Sequence, residues 1–159
     1  MSANYYLCCG NKTGVSNPGE WVGIDIQGPC EVLADVRTIQ HLPDAERIFA
    51  TPPCDSFTDL PWRPATNKDV DILRACLRLC KESPEWLLEN NKWAQKFIGK
   101  ADFHRGPHYF WGNILVPDFI RSRNKSAMDG HNPLARAALP VIWNEAQAAP
   151  EPSSASEGS

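Results

Sequence analysis

The chain has 159 residues, 42% of them apolar and 22% charged, with a formal net charge of −3. That length suits one domain with a single sizeable core and is too short for two, and no stretch approaches the roughly 18 consecutive apolar residues of a membrane-spanning helix. The acidic balance excludes a whole-surface electrostatic grip on nucleic acid, so any basic surface must be local.

Met1-Ser2-Ala3-Asn4-Tyr5-Tyr6 lacks the basic region and apolar core of a signal peptide, which predicts a cytoplasmic protein. Tyr5-Tyr6-Leu7-Cys8 reads as a first strand and Gly10-Asn11-Lys12-Thr13-Gly14 as the turn after it. A second strand, Trp21-Val22-Gly23-Ile24-Asp25-Ile26, carries an acid near its end; Glu31-Val32-Leu33-Ala34 is a third, ending at Asp35, and Arg47-Ile48-Phe49-Ala50 a fourth. Between Lys68 and Lys81, Val70, Leu73, Leu77 and Cys80 recur at helical spacing with Cys76 on the same face, and Asn67 is available as N-cap. After the break at Ser83-Pro84, Glu85-Trp86-Leu87-Leu88 is a fifth strand, and Tyr109-Phe110-Trp111 a further one between Gly106-Pro107 and Gly112-Asn113. Asn132-Pro133 opens a last helix over residues 134–148, and residues 149–159, without a large apolar side chain, read as a disordered tail. Strands alternating with helices or long loops predict an α/β fold with a mostly parallel sheet.

Six cysteines do not read as a disulfide framework. Cys8 and Cys9 are adjacent in a strand, Cys76 and Cys80 lie one turn apart on a helix, and the absence of a Cys-x-x-Cys pair leaves a zinc site without support. Five of them are expected reduced and buried as small apolar residues. Cys54 is the exception, because it follows Thr51-Pro52-Pro53 and precedes a polar turn. Glu89-Asn90 follows the fifth strand as Cys54 follows the fourth, which predicts both groups at the carboxyl ends of neighbouring strands, the edge where open α/β sheets bind ligands. A thiol on a rigid turn facing a carboxylate suits nucleophilic attack on a ring whose edge the carboxylate holds, and a nucleobase is such a ring. His104 and His108 are four apart, but Gly106-Pro107 breaks any helix that would put them on one face, so they read as loop polar groups. Tyr109, Phe110 and Trp111 are explained by a partly buried strand at least as well as by base stacking.

These motifs, in this order, resemble a small, phage-type DNA (cytosine-5)-methyltransferase over most of residues 5–147. Thr51-Pro52-Pro53-Cys54 resembles that family's Pro-Pro-Cys nucleophile loop, Glu89-Asn90 its Glu-Asn base-binding motif, and Arg121-Ser122-Arg123 the Arg-x-Arg part of its Gln-x-Arg-x-Arg motif, with Phe119 where Gln is usual. Arg136-Ala137-Ala138-Leu139-Pro140 is similar to the carboxyl-terminal helix entry of phage members. The resemblance implies a Rossmann-like S-adenosylmethionine-dependent sheet over residues 1–148, with residues 93–121 as a reduced target-recognition segment. It implies Cys54 as nucleophile, with its pKa lowered or a cation nearby from Arg121 or Arg123, and Glu89 on N3 and the exocyclic amine of cytosine. No side chain is assigned to removing the C5 proton, which leaves water for that step. Cofactor contacts are expected from Cys9, Gly10, Gly14 and Pro52, from Asp25 to the ribose and from Asp35 to the adenine amine. Lys12 is an unexpected charge in that turn.

On the DNA side, Asn90, Lys92, Lys96, Lys100 and Arg105 are the expected contacts, Asn90 also being able to fix the nucleophile loop. With so short a recognition segment, target reading is short or loose, or a partner subunit completes it. Two alternatives come from other classes: a catalytically silent methyltransferase-like protein that binds DNA or a partner, and an enzyme modifying free pyrimidine nucleotides at C5.

Overall fold

In the computed structural model of the protein, residues 1–12 and 14–114 are described, all within a compact unit spanning Met1–Arg121. The last helix expected over residues 134–148, the tail, and Arg121 and Arg123 lie outside the described residues.

Each apolar run read as a strand forms one: β1 (Ala3–Leu7), β2 (Trp21–Asp25), β3 (Val32–Leu33), β4 (Ala45–Ala50), β5 (Glu85–Asn90) and β7 (His108–Gly112). β1 stops at Leu7 because Cys8 turns to a φ of 53°, and Gly10 at 51° and Lys12 at 55° continue the turn in the left-handed region. A strand that the periodicity did not reveal, β6 (Phe103–Arg105), pairs with β7 across the Gly106-Pro107 turn. Three residues are too few for an alternation to register.

The strands form one sheet in the order β3-β2-β1-β4-β5-β7-β6, parallel from β3 to β5, with β7 antiparallel to both its neighbours. The chain steps from β1 outward to β2 and β3 and then returns past β1 to β4, so the connections diverge between β1 and β4. That point is where an open sheet leaves a crevice at its carboxyl edge.

The fold is mixed α/β with few helices among the described residues: α1 (Asn67–Cys80) between β4 and β5, and the single turn α2 (Gln95–Ile98) after β5. Strand alternation sends Leu7, Ile24, Ile48, Ala50 and Leu88 to one face, where they meet Val70, Leu73, Cys76 and Cys80 of α1. Tyr6, Trp21, Phe49, Leu87 and Phe110 form the cluster on the other face with Cys9 and Val15. The N-cap of α1 is Thr66 and not Asn67. Thr66 has the extended backbone a cap needs, and its Oγ1 accepts from the Asp69 amide at 3.1 Å while donating to Asp69 Oδ2 at 2.7 Å. All six cysteines are free; Cys9, Cys76 and Cys80 are buried, whereas Cys8 and Cys30 are only half-buried and Cys54 is exposed. Among the described residues no helix is long and apolar enough to cross a membrane.

The cap assignment predicts that Thr66→Ala lowers stability by about 1 kcal/mol while Asn67→Ala stays within about 0.5 kcal/mol of the parent. Urea midpoints of the two variants measure this, and the reverse ranking would return the cap to Asn67.

Candidate active site

Because β1, β4 and β5 run parallel, the turns that follow them emerge at one edge, and Thr51 joins the first two. Its amide donates to Leu7 O at 3.1 Å, and its hydroxyl donates to Cys8 O at 3.1 Å and lies 3.2 Å from the Tyr6 hydroxyl. The loop after β4 is therefore stapled to the end of β1, across the crevice where the connections diverge.

Two asparagines hold the same loop to the end of β5. Asn90, 1% exposed, donates from Nδ2 to Pro52 O at 3.0 Å and accepts from the Asn91 amide at 2.9 Å. Asn91 Nδ2 donates to Cys54 O at 3.0 Å and to Phe57 O at 2.8 Å, and the Phe57 amide closes a turn onto Cys54 O at 3.0 Å. Asn90 thus has the loop-fixing role considered from sequence; as a nucleic-acid contact it is out of reach in this conformation, because a phosphate or base contact needs an exposed side chain. Asn91 was not singled out by the sequence reading, although the Asn-Asn doublet directly after Glu89 was the available signal.

With its loop tied down on both sides, Cys54 is exposed, and the Glu89 carboxylate is close enough for its charge to act on the sulfur. Partial burial first, and then the charges of Glu89 and Asp55, push the Cys54 thiol above its ordinary value. This differs from the lowered pKa expected of a nucleophile: the described neighbours are acidic, and the expected cations, Arg121 and Arg123, lie outside the described residues. Glu89 itself meets His108, whose Nδ1 is 2.7 Å from Glu89 Oε1. The two imidazoles do not share a site, since His104 stacks on Tyr109 at 4.8 Å between ring centroids. Among the described residues no group of three His, Cys, Asp or Glu side chains is arranged to hold a metal ion.

At the turn after β1, Asp25 binds the chain where the sequence placed an acid. Its Oδ2 accepts from the Gly10 amide at 2.9 Å and its Oδ1 from the Gln27 amide at 3.2 Å, so the end of β2 is locked to the turn. Gly14 has room for no side chain, as a Cβ there would come within 2.5 Å of the Tyr6 hydroxyl. The unexpected Lys12 is turned inward, its side chain 11% exposed. Its Nζ donates to Glu31 Oε1 at 2.5 Å, Pro18 O at 3.0 Å and Trp21 O at 3.1 Å. Glu31 also accepts from the Gly23 amide at 2.7 Å, and these donors hold its carboxyl below the usual range.

Three expected cofactor contacts are otherwise employed. The Cys9 side chain is buried in the far-face cluster with its thiol pushed up to about 11, chiefly by burial, so it offers no surface to a ligand. Pro52 is buried and its carbonyl is taken by Asn90. Asp35 caps the short helical turn Val36–Thr38 and pairs with the Arg37 guanidinium, which holds its carboxyl near 2; its oxygens are committed to Arg37 instead of an adenine amine.

Lys92, Lys96 and Lys100 are exposed, and the ammonium groups of Lys92 and Lys96 lie 4.4 and 4.8 Å from the Trp93 ring centroid. Arg105 is half-buried, its guanidinium over the Phe103 ring at 5.9 Å. Over their described part, residues 93–121 supply α2 and the β6–β7 hairpin, which extends the sheet and brings its turn to the candidate site. No protein-family model, no curated protein and no solved structure significantly matches this chain.

Since the Glu89 charge raises the Cys54 thiol, Glu89→Gln increases the thiolate present at a given pH. Alkylation of Cys54 by iodoacetamide at pH 8, followed by peptide mass spectrometry, is expected to run about two- to tenfold faster in that variant, with the rates converging as pH rises and both thiols ionise. An unchanged rate would separate the carboxylate from the sulfur.

Proposed function

We propose that the chain transfers a methyl group from S-adenosylmethionine to C5 of cytosine in DNA, with Cys54 as nucleophile and Glu89 as the carboxylate that holds the base. One observation carries this reading: an exposed thiol and a carboxylate stand at the same sheet edge, with Asn90 and Asn91 tying the thiol's loop to the carboxylate's strand. The strand order from β3 to β5, with its point of divergence between β1 and β4, supports a Rossmann-like sheet of the S-adenosylmethionine-dependent kind.

Cytosine C5 is a poor nucleophile until C6 is attacked. The Cys54 proton passes through water to Glu89, the thiolate adds to C6, the C5–C6 π electrons shift toward C4, and Glu89 hands that proton to N3, so no net charge builds on the pyrimidine. C5 then has the electron density of an enamine. After substitution at C5, loss of the C5 proton to water expels the thiolate, restores the double bond and returns the N3 proton to Glu89. The raised Cys54 thiol accords with this coupling: an ionised Glu89 opposes the thiolate, and a Glu89 whose charge is shared with the base does not.

The bound cofactor would supply an electrophilic methyl group. The residues present fit it. Asp25 stands at the carboxyl end of β2, each of its oxygens accepting one backbone amide and keeping a lone pair for a ribose hydroxyl, and Ile26 (55% exposed) and Leu33 (69%) expose apolar surface suited to a flat ring beside it. Lys12 would repel a sulfonium if free, and its ion pair with Glu31 under the turn removes that objection. Pro52 and Cys9 serve by shaping the two turns and not by side-chain contact.

The DNA would meet Lys92, Lys96 and Lys100, with the target base flipped or unpaired, since C6 of a stacked cytosine is out of reach of any thiol. A cytoplasmic setting in a bacterium or phage-infected cell suits such an enzyme.

Tritiated-methyl transfer to cytosine-containing duplex and single-stranded oligonucleotides tests the reading. Wild type is expected to label DNA, Cys54→Ser to lose transfer by more than about 10³-fold with cofactor binding nearly unchanged, and Asp25→Ala to weaken cofactor binding about tenfold or more by calorimetry. Labelling of dCMP with none on DNA would move the activity to free nucleotides, and full activity in Cys54→Ser would remove the mechanism.

A further inference from the structure

The proposed role of Glu89 leaves open how its carboxylate is held. β7 runs antiparallel to β5, so its first residue arrives at the edge where β5 ends, and the two-residue Gly106-Pro107 turn of the β6–β7 hairpin projects there. That register brings His108 to Glu89, with Nδ1 2.7 Å from Oε1. Glu89 is largely enclosed, its side chain 24% exposed, whereas His108 is 51% exposed and has no core to fill. Among the described residues, Cys54 feels the Glu89 charge and Arg105 lies opposite His108 on β6.

A carboxylate at the end of a strand can rotate about its last bond, and a rotating acceptor holds a ring edge poorly. An N–H bonded to one oxygen removes that freedom and leaves the second oxygen for the ligand. We propose that His108 is a positioning residue for the base-holding carboxyl: Nδ1–H fixes Glu89 through one lone pair of Oε1, whose proton then faces N3, and leaves Oε2 to accept from an exocyclic amine. The pair thereby favours a pyrimidine carrying an amine at C4 over one carrying a carbonyl, because a C4 carbonyl would set oxygen against oxygen. The inference rests on the methyl-transfer reading and extends it to cytosine-over-uracil selection by a residue that the motif resemblance did not assign.

The test compares wild type, His108→Ala and His108→Asn, the asparagine amide being able to donate from about the position of Nδ1. Each is incubated with S-adenosylmethionine and oligonucleotides carrying 5-fluorocytosine or 5-fluorouracil at one position. The rate of the covalent Cys54 adduct, non-covalent binding by anisotropy, and the unfolding midpoint are measured. The expected result is adduct formation with 5-fluorocytosine about 10- to 100-fold slower in His108→Ala, with binding within about threefold and folding preserved. Asparagine should restore most of the rate, and the preference for 5-fluorocytosine over 5-fluorouracil should shrink in the alanine variant. Equal rates for wild type and His108→Ala, or an asparagine variant as slow as alanine, would overturn the positioning role while leaving methyl transfer standing. No adduct from wild type would overturn the methyl-transfer reading itself, and this inference with it.

Discussion

The candidate site depends on one loop being held from two sides. Residues 51–57 leave β4 with no regular structure of their own until α1 begins, and a Pro-Pro turn stiffens them without saying where they sit. Thr51 pins the start of the loop to β1, and the amides of Asn90 and Asn91 pin Pro52, Cys54 and Phe57 to the end of β5. Each bond is to a backbone carbonyl, so the polar accounting of the loop and the aim of the thiol are the same problem. Parallel pairing of β1, β4 and β5 makes this possible by bringing all three turns to one edge.

The electrostatics of that edge oppose an ionised thiol. Cys54 faces two carboxylates among the described residues, Glu89 and Asp55, and both oppose its ionisation. In the proposed chemistry the same opposition becomes a coupling: the thiolate is favoured when Glu89 shares its charge with a pyrimidine, so the reactive form of the sulfur appears with the substrate. In the resting protein the sulfur is exposed while its thiol is held above the ordinary value.

The acidic chain solves a second charge problem at the turn after β1. In the proposed chemistry a free lysine in this turn would repel a cationic cofactor, yet Lys12 is folded under the backbone and shared among two carbonyls and Glu31. Its cost in desolvation is offset by full hydrogen bonding, and Glu31 spends its other oxygen on the Gly23 amide, joining β2 to the loop before β3. Lys12 is thereby a structural residue of the turn after β1, while Asp25, at the end of the neighbouring strand, holds the Gly10 amide.

The apolar periodicities by themselves determined the principal strands, a helix between Lys68 and Lys81 and the alternation that divides the two faces, because those follow from local spacing and burial. The Thr-Pro-Pro-Cys and Glu-Asn groups were legible for the same reason: each sits directly after an apolar run, and the carboxyl end of a parallel strand has a known side. What only the tertiary structure decided depended on contacts between residues far apart in the chain. β6 exists because β7 is there to pair with it; Asn91 matters because two carbonyls of another loop lie within reach; and His108, which reads as a loop polar group, meets Glu89 through an antiparallel register that no local pattern encodes. Spacing along the chain specifies which face a side chain takes, but the partner it meets there is set by how strands are ordered and how far each is slid against the next.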